Sequence, residues 1–258
     1  MYKPGFAVSC SLIMVLLATF PAMPQGNQQG AAGDSADTAR LRISNLSGDF
    51  YVYTTYHMYK GNRIGANAMY LLTDQGAVLF DTPWDTTQFQ PLLDSIRVRH
   101  NAKVLLCIST HFHEDRTGGL EYYRKQGIKT YTTVRTDELS RQRGMKRAGF
   151  LVLNDSLFNV GRYSFRTYYP GPGHTPDNIV IWFPKEKILY GGCLVKSVQD
   201  SDLGNLADAD RERYAATIDN LRRECRDPRF VITGHNDYSS TQSLDHTLKM
   251  AEELRKGR

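Results

Sequence analysis

The run KVLLCIST at residues 103–110 constrains the fold more than any other stretch. Val104 to Ile108 are consecutively apolar and leave no polar face, as expected for a strand covered on both sides. Strand and helix patterns alternate around it. YVYTTYHMY (51–59) and AMYLLTDQGAVLF (68–80) read as strands, the second hinged at Asp74-Gln75-Gly76. Asp85 is placed to cap a helix in which Phe89, Leu92, Leu93 and Ile96 recur at i, i+3, i+4 and i+7. A short helix starts at Leu120 and stops near Gly127, and another covers 136–143. In the second half NIVIWF and KILYGG flank a turn at Pro184-Lys185-Glu186. Tyr214, Ile218, Leu221 and Cys225 fall on one helical face, RFVITGH is a strand, and Leu244, Leu248, Ala251 and Leu254 mark a final helix. The pattern is one of strands covered by helices on their outer faces, in two halves of similar plan.

The first residues belong to a different kind of text. One cation in MYKPG precedes the uncharged run FAVSCSLIMVLLATF, and PAMPQGNQQGAAG follows it. This is the layout of a secretory signal peptide, with an apolar run short for a membrane span. The expected organisation is a signal over 1–25, cleaved between Ala22 and Gly26, a flexible leader over 26–44, and a single domain over 45–258. Cys10 sits inside the apolar run instead of closing it, which argues against a lipid anchor. The mature chain is therefore read as exported to the periplasm, with no stable insertion in a membrane. Three cysteines remain, an odd number that does not make a disulfide framework. Cys107 reads as a core residue and Cys225 as a packing residue, while Cys193 follows two glycines at a strand end. A composition of 41% hydrophobic and 23% charged residues fits a globular protein. The net charge of +5, without Lys/Arg blocks, gives little support for a nucleic-acid partner.

Seven histidines occur. His57 lies in a strand-loop region, His100 ends a helix where a cation is favoured, and His246 is inside the last helix; each has an ordinary structural reading. The other four share a setting. His111 and His113 follow the strand ending at Ser109, with Asp115 two further on; His174 sits in GPGHTPDN; His235 sits in VITGHND. Each lies where strand and loop meet, as does Cys193. Imidazole, thiolate and carboxylate are the usual zinc donors, and six of them are too many for one tetrahedral ion and suit two. A zinc finger is excluded because there is no C-x-x-C pair.

His-x-His-x-Asp followed by a distant His, Cys and His resembles the metallo-β-lactamases, the class B enzymes that destroy β-lactam antibiotics. The resemblance extends from about residue 45 to 256. Arg116 and Cys193 stand where the wider superfamily usually has His and Asp, which points to the subclass with a three-histidine site and an Asp-Cys-His site. The resemblance implies an α/β fold of the αββα four-layer sandwich type. It implies one Zn2+ on His111, His113 and His174 and a second on Asp115, Cys193 and His235. It assigns Lys196 to the substrate carboxylate, Asn205 to the lactam carbonyl, and Asp115 to orienting the nucleophile. Arg116 and Asp81 would support the second set of ligands. TYHMYKGNRIG would be a mobile hairpin flap over the substrate, with Met58 and Tyr59 at its apolar tip.

The implied activity is hydrolysis of the β-lactam ring of penicillins, cephalosporins and carbapenems by a metal-bound hydroxide, conferring antibiotic resistance, in a monomeric chain whose partner is the small-molecule substrate. Two other readings stand beside it. One is a different hydrolase on the same scaffold, acting on a thioester, lactone or phosphodiester. The other is a non-catalytic exported zinc-binding protein.

Overall fold

The computed structural model describes residues 40–257; the expected signal peptide and most of the leader lie outside them. The first half runs β1 (Leu41–Ser47), β2 (Phe50–Tyr59), β3 (Asn62–Thr73), β4 (Gly76–Phe80), α1 (Phe89–His100), β5 (Val104–Ile108), α2 (Glu114–Thr117), α3 (Leu120–Lys125), β6 (Lys129–Thr133), α4 (Val134–Arg143) and β7 (Phe150–Val152). The second half runs β8 (Leu157–Val160), β9 (Tyr163–Tyr168), β10 (Val180–Phe183), β11 (Ile188–Gly192), α5 (Tyr214–Glu224), β12 (Phe230–Thr233) and α6 (Ser243–Lys256). Strands β1 to β7 form one sheet in chain order, and the other sheet has the order β12-β11-β10-β9-β8. The first sheet is antiparallel through β4 and parallel from β4 to β7. In the second only β11 and β12 are parallel.

The two sheets face each other across a core containing Phe50, Phe80, Phe165, Phe183 and Ile181. Phe183 is fully buried and its ring meets those of Phe50 at 4.9 Å, Phe165 at 5.1 Å and Phe80 at 5.7 Å. The outer face of the first sheet packs Tyr70, Leu79 and Cys107 against Phe89, Leu92 and Ile96 of α1 and Leu120 and Tyr123 of α3. The outer face of the second packs Val180, Trp182 and Val231 against Ile218 and Leu221 of α5 and Leu244 and Ala251 of α6. Helix, sheet, sheet, helix is the αββα sandwich expected from the sequence. No helix among the described residues is long and apolar enough to cross a membrane.

Three readings change. The flexible leader expected to reach residue 44 gives way earlier: β1 begins at Leu41 and pairs with β2, because Leu41 and Ile43 pack on the outer apolar group of the first sheet. The stretch between residues 129 and 168 holds four strands that the apolar pattern did not announce. In β6 the buried positions are Thr130, Thr132 and Thr133, so the strand carries no apolar run. His100 does end α1, yet burial and the neighbouring Arg99 lower its pKa, and its Nε2 lies 2.9 Å from the Tyr70 hydroxyl. It is held towards the neutral form instead of serving as a helix-end cation.

Phe183→Ala removes a ring that touches three other aromatic rings. It is expected to cost about 3–5 kcal/mol of unfolding free energy, measured by urea denaturation.

Candidate metal centre

Donors from four separate segments meet at one edge of the sandwich. His111 follows β5, His113 occupies the N-cap position of α2, and Asp115 and Arg116 lie within that helix. His174 comes from the loop before β10, Cys193 follows β11 directly, and His235 follows β12. The turn after β4 fixes the first of these segments. Asp81 sits there at φ +66°, in the left-handed region that non-glycine residues seldom adopt. Its buried carboxylate accepts the Thr110 N–H at 2.6 Å, the Thr110 hydroxyl at 2.9 Å and the Tyr190 hydroxyl at 2.5 Å. Burial pushes this carboxyl up to about 6, against the pull of Arg116 and of those hydrogen bonds.

The three expected first-set histidines lie close together. Their rings lie 4.9–5.0 Å apart, centroid to centroid, and stand at 74–89° to each other. His174 Nε2 is 3.2 Å from His113 Nδ1. His113 Nε2 lies 3.1 Å from the carboxylate of Asp208, which turns Nδ1 towards the other rings. His111 Nε2 is buried without a hydrogen-bond partner, which in a polar cluster is costly unless something binds there. Burial lowers the pKa of both His111 and His174 well below the ordinary value, so each presents a neutral imidazole with a free lone pair.

The second expected set is equally compact. Cys193 Sγ is 3.3 Å from His235 Nε2 and 3.4 Å from Asp115 Oδ2, and His235 Nε2 is 3.4 Å from the same oxygen. His235 Nδ1 donates to the Gly65 carbonyl at 2.7 Å, leaving Nε2 to face the cluster. Burial would lower the pKa of His235, but Cys193 and Asp115 beside it hold it at about 9. The place thus favours positive charge. Gly234 is required by the close approach here: a Cβ on it would stand 2.8 Å from Cys193 Sγ.

Arg116 is wholly buried between these groups. Its Nη2 reaches Asp115 Oδ2 at 2.8 Å, donates to Cys193 Sγ at 2.9 Å and to the Gly234 carbonyl at 3.0 Å. Its Nη1 donates to the Asn67 carbonyl at 2.7 Å and lies 3.7 Å from Asp81. Burial raises the pKa of Asp115, yet Arg116 and His235 more than reverse this and hold it well below the usual carboxylate range. Together the neutral imidazoles, the ionised carboxylate and the thiol make a donor set that fits zinc. Asp115 joins the two sets, since its carboxylate also lies within 4.8 Å of donor nitrogens of His111 and His113.

A cavity of about 710 Å³ opens over both sets. Lys196 lies in its wall, nine-tenths buried, and its ammonium makes no ion pair among the described residues. Burial lowers its pKa, although Cys193, Asp200 and Asp115 oppose the shift. Asn205 also lines the cavity; its Oδ1 accepts the Ala207 N–H, which leaves the amide NH2 available. Tyr59 lines it too, but Met58 does not. Strand alternation turns Met58 to the opposite face of β2, where it is exposed. The residue on the cavity side is His57, stacked on Trp84 at 4.8 Å. Sequence reading gave His57 an ordinary place, although its i, i+2 spacing from Tyr59 carried the information. Asp208 and Arg143, ion-paired at 2.9 Å, also line the cavity, and nothing in the local sequence marked them.

Residues 61–235 match the model of the metallo-β-lactamase superfamily. A metallo-β-lactamase type 2 of Elizabethkingia meningoseptica is 40% identical over 217 residues, covering 84% of this chain and 87% of that protein. The metallo-β-lactamase IND-1 of Chryseobacterium indologenes is 37% identical and covers 80% of this chain and 86% of its own. Among solved structures, metallo-β-lactamase IND-7 superposes with a TM-score of 0.79 at 36% identity, covering 82% of this chain and 98% of that one. With the fold, the donor clusters and these likenesses in agreement, the chain belongs to the metallo-β-lactamase family.

Proposed function

We propose that this chain hydrolyses the β-lactam ring of antibiotics with two zinc ions, one held by His111, His113 and His174 and the other by Asp115, Cys193 and His235. The observation that carries the reading is the run of overlapping donor clusters, from the three histidines through Asp115 to Cys193 and His235, under a cavity whose wall holds a lysine in no ion pair among the described residues. Bound there, zinc supplies Lewis acidity and lowers the pKa of a coordinated water towards about 7.

The side chains then have separate tasks. Lys196 meets the substrate carboxylate, and a buried ammonium gains more from that contact than an exposed one does. Asn205 donates its free amide N–H to the lactam carbonyl oxygen, where charge develops during attack. Asp115, kept ionised by Arg116, accepts a hydrogen bond from the attacking water and orients it. Tyr59, His57 and Trp84 supply an apolar wall against which the rest of the drug packs. Arg116 touches no substrate; it holds Asp115, Cys193 and the Gly234 carbonyl in register, with Asp81 behind it. The signal-like N-terminus supports export to the periplasm, where a monomeric enzyme of this kind would confer resistance by meeting the drug before the cell wall does.

Loss of carbapenem ring absorbance on mixing with the zinc-loaded chain tests the reading. A chelator is expected to reduce hydrolysis to the uncatalysed rate, and added zinc to restore it; no turnover of a carbapenem, a penicillin or a cephalosporin with two zinc ions bound would refute it. Lys196→Ala removes a charge-assisted contact of about 2 kcal/mol and is expected to raise KM roughly 30-fold with a smaller effect on kcat. Arg116→Lys loses the planar fork, and zinc titration is expected to show one site weakened by about 10–100-fold while the other is kept.

A further inference from the structure

The positive charge of this chain is concentrated in one segment, although no Lys/Arg block betrays it in the sequence. Residues 124–166 carry ten Lys and Arg against three Asp and Glu, and the remainder of the chain carries 22 against 24. The whole excess therefore lies between the end of α3 and β9. Nine of the ten cations are exposed. Six have a carboxylate within reach; Arg124, Lys125, Lys129 and Arg141 are in no ion pair among the described residues.

The same segment exposes apolar side chains. Val134, Phe150, Leu151, Leu153 and Leu157 are 47–75% exposed and make up five of the nine large exposed apolar residues among those described. β7 is the edge of one sheet and β8 the edge of the other; Phe150 and Leu151 lie in β7, Leu153 follows it and Leu157 opens β8. Tyr131 bridges the two edges, 5.3 Å from the Phe150 ring and 6.1 Å from Phe158. Arg124 reaches the same place, its Cδ 3.2 Å from where a Cβ on Gly149 would stand. Exposed apolar side chains gathered at such an edge suit an interaction site, and the cations of the same segment select its partner. A second copy would bring like charge against like. A nucleic acid needs free aromatic faces to stack on, whereas Phe150 already stacks on Tyr131 and the remainder of the patch is aliphatic. Aliphatic side chains amid Lys and Arg suit the boundary between acyl chains and anionic headgroups.

We propose that the β7–β8 edge is a peripheral docking surface for anionic phospholipid bilayers. Leu153 and Leu157 enter the headgroup boundary, and Arg124, Lys129 and Arg141 pair with lipid phosphates. Docking leaves the metal-site residues of α2, β11 and β12 untouched.

Co-sedimentation of the full chain with vesicles of phosphatidylcholine, alone or mixed with phosphatidylglycerol, tests the proposal. Partitioning is expected to be at least about tenfold stronger on the anionic vesicles and to fall as salt is added. Leu153→Ser combined with Leu157→Ser is expected to weaken it roughly tenfold with carbapenem hydrolysis in solution unchanged, which also shows that the variant folds. The apolar run from Phe6 to Phe20 is common to parent and variant, so the difference between them reports on the patch alone. Equal binding to both vesicle types, or equal binding by parent and variant, would overturn the proposal. So would retention by an oligonucleotide without vesicle binding, or a dimer that the double substitution dissolves.

Discussion

The guanidinium of Arg116 is entirely cut off from water, and the two halves of the molecule meet around it. Removing such an ion from water costs several kcal/mol, a cost that only well-placed acceptors offset. Here they come from both halves: Asn67 and Asp81 from the first, Cys193 and Gly234 from the second, with Asp115 one residue away on the same helix. The tolerance of that arrangement is small. A shift of one sheet against the other by a residue would leave a buried charge unpaired, so the arginine fixes the register in which Asp115, Cys193 and His235 come together.

The remaining architecture follows from that requirement. Asn67 on β3 accepts Arg116 through its carbonyl, donates its own N–H to the Gly234 carbonyl, and donates its side-chain amide to the carbonyls of Thr233 and Asn236. Tyr190 on β11 reaches across to Asp81 on the turn after β4. These polar ties sit at the end of a core that is otherwise aromatic and aliphatic, where the low dielectric strengthens each of them. Strand ends are rigid supports: Cys193 directly follows β11, and His111 and His235 lie within three residues of the ends of β5 and β12. The cavity above them is walled by loops that carry Lys196, Asn205 and Asp208, so ligand placement and substrate placement are separated between rigid and adaptable parts.

Charge is divided along similar lines. Near the metal centre it is buried and specific, and each shift away from ordinary ionisation has burial or a named neighbour as its cause. On the β7–β8 edge it is exposed and diffuse, adjoining side chains that the core does not cover. The two faces of the molecule therefore offer different chemistry, one to a small anionic substrate and the other to an extended anionic surface.

The sequence by itself determined the layered fold class and singled out the six side chains, His111, His113, Asp115, His174, Cys193 and His235, that the fold brings together. The apolar runs of β4, β5 and β10 are long enough to be read directly, and His, Cys and Asp at strand ends are chemically conspicuous wherever they occur. It did not determine β6, because threonines fill its buried positions and only the neighbouring layers make a strand of them. Nor did it determine that His57 faces the cavity while Met58 faces away, or that Asp208 and Arg143 stand beside His113. Those are relations between side chains 30 to 95 residues apart, set by sheet pleat and loop path. The tertiary structure decided them because no local pattern records which face of a strand a distant loop will cover.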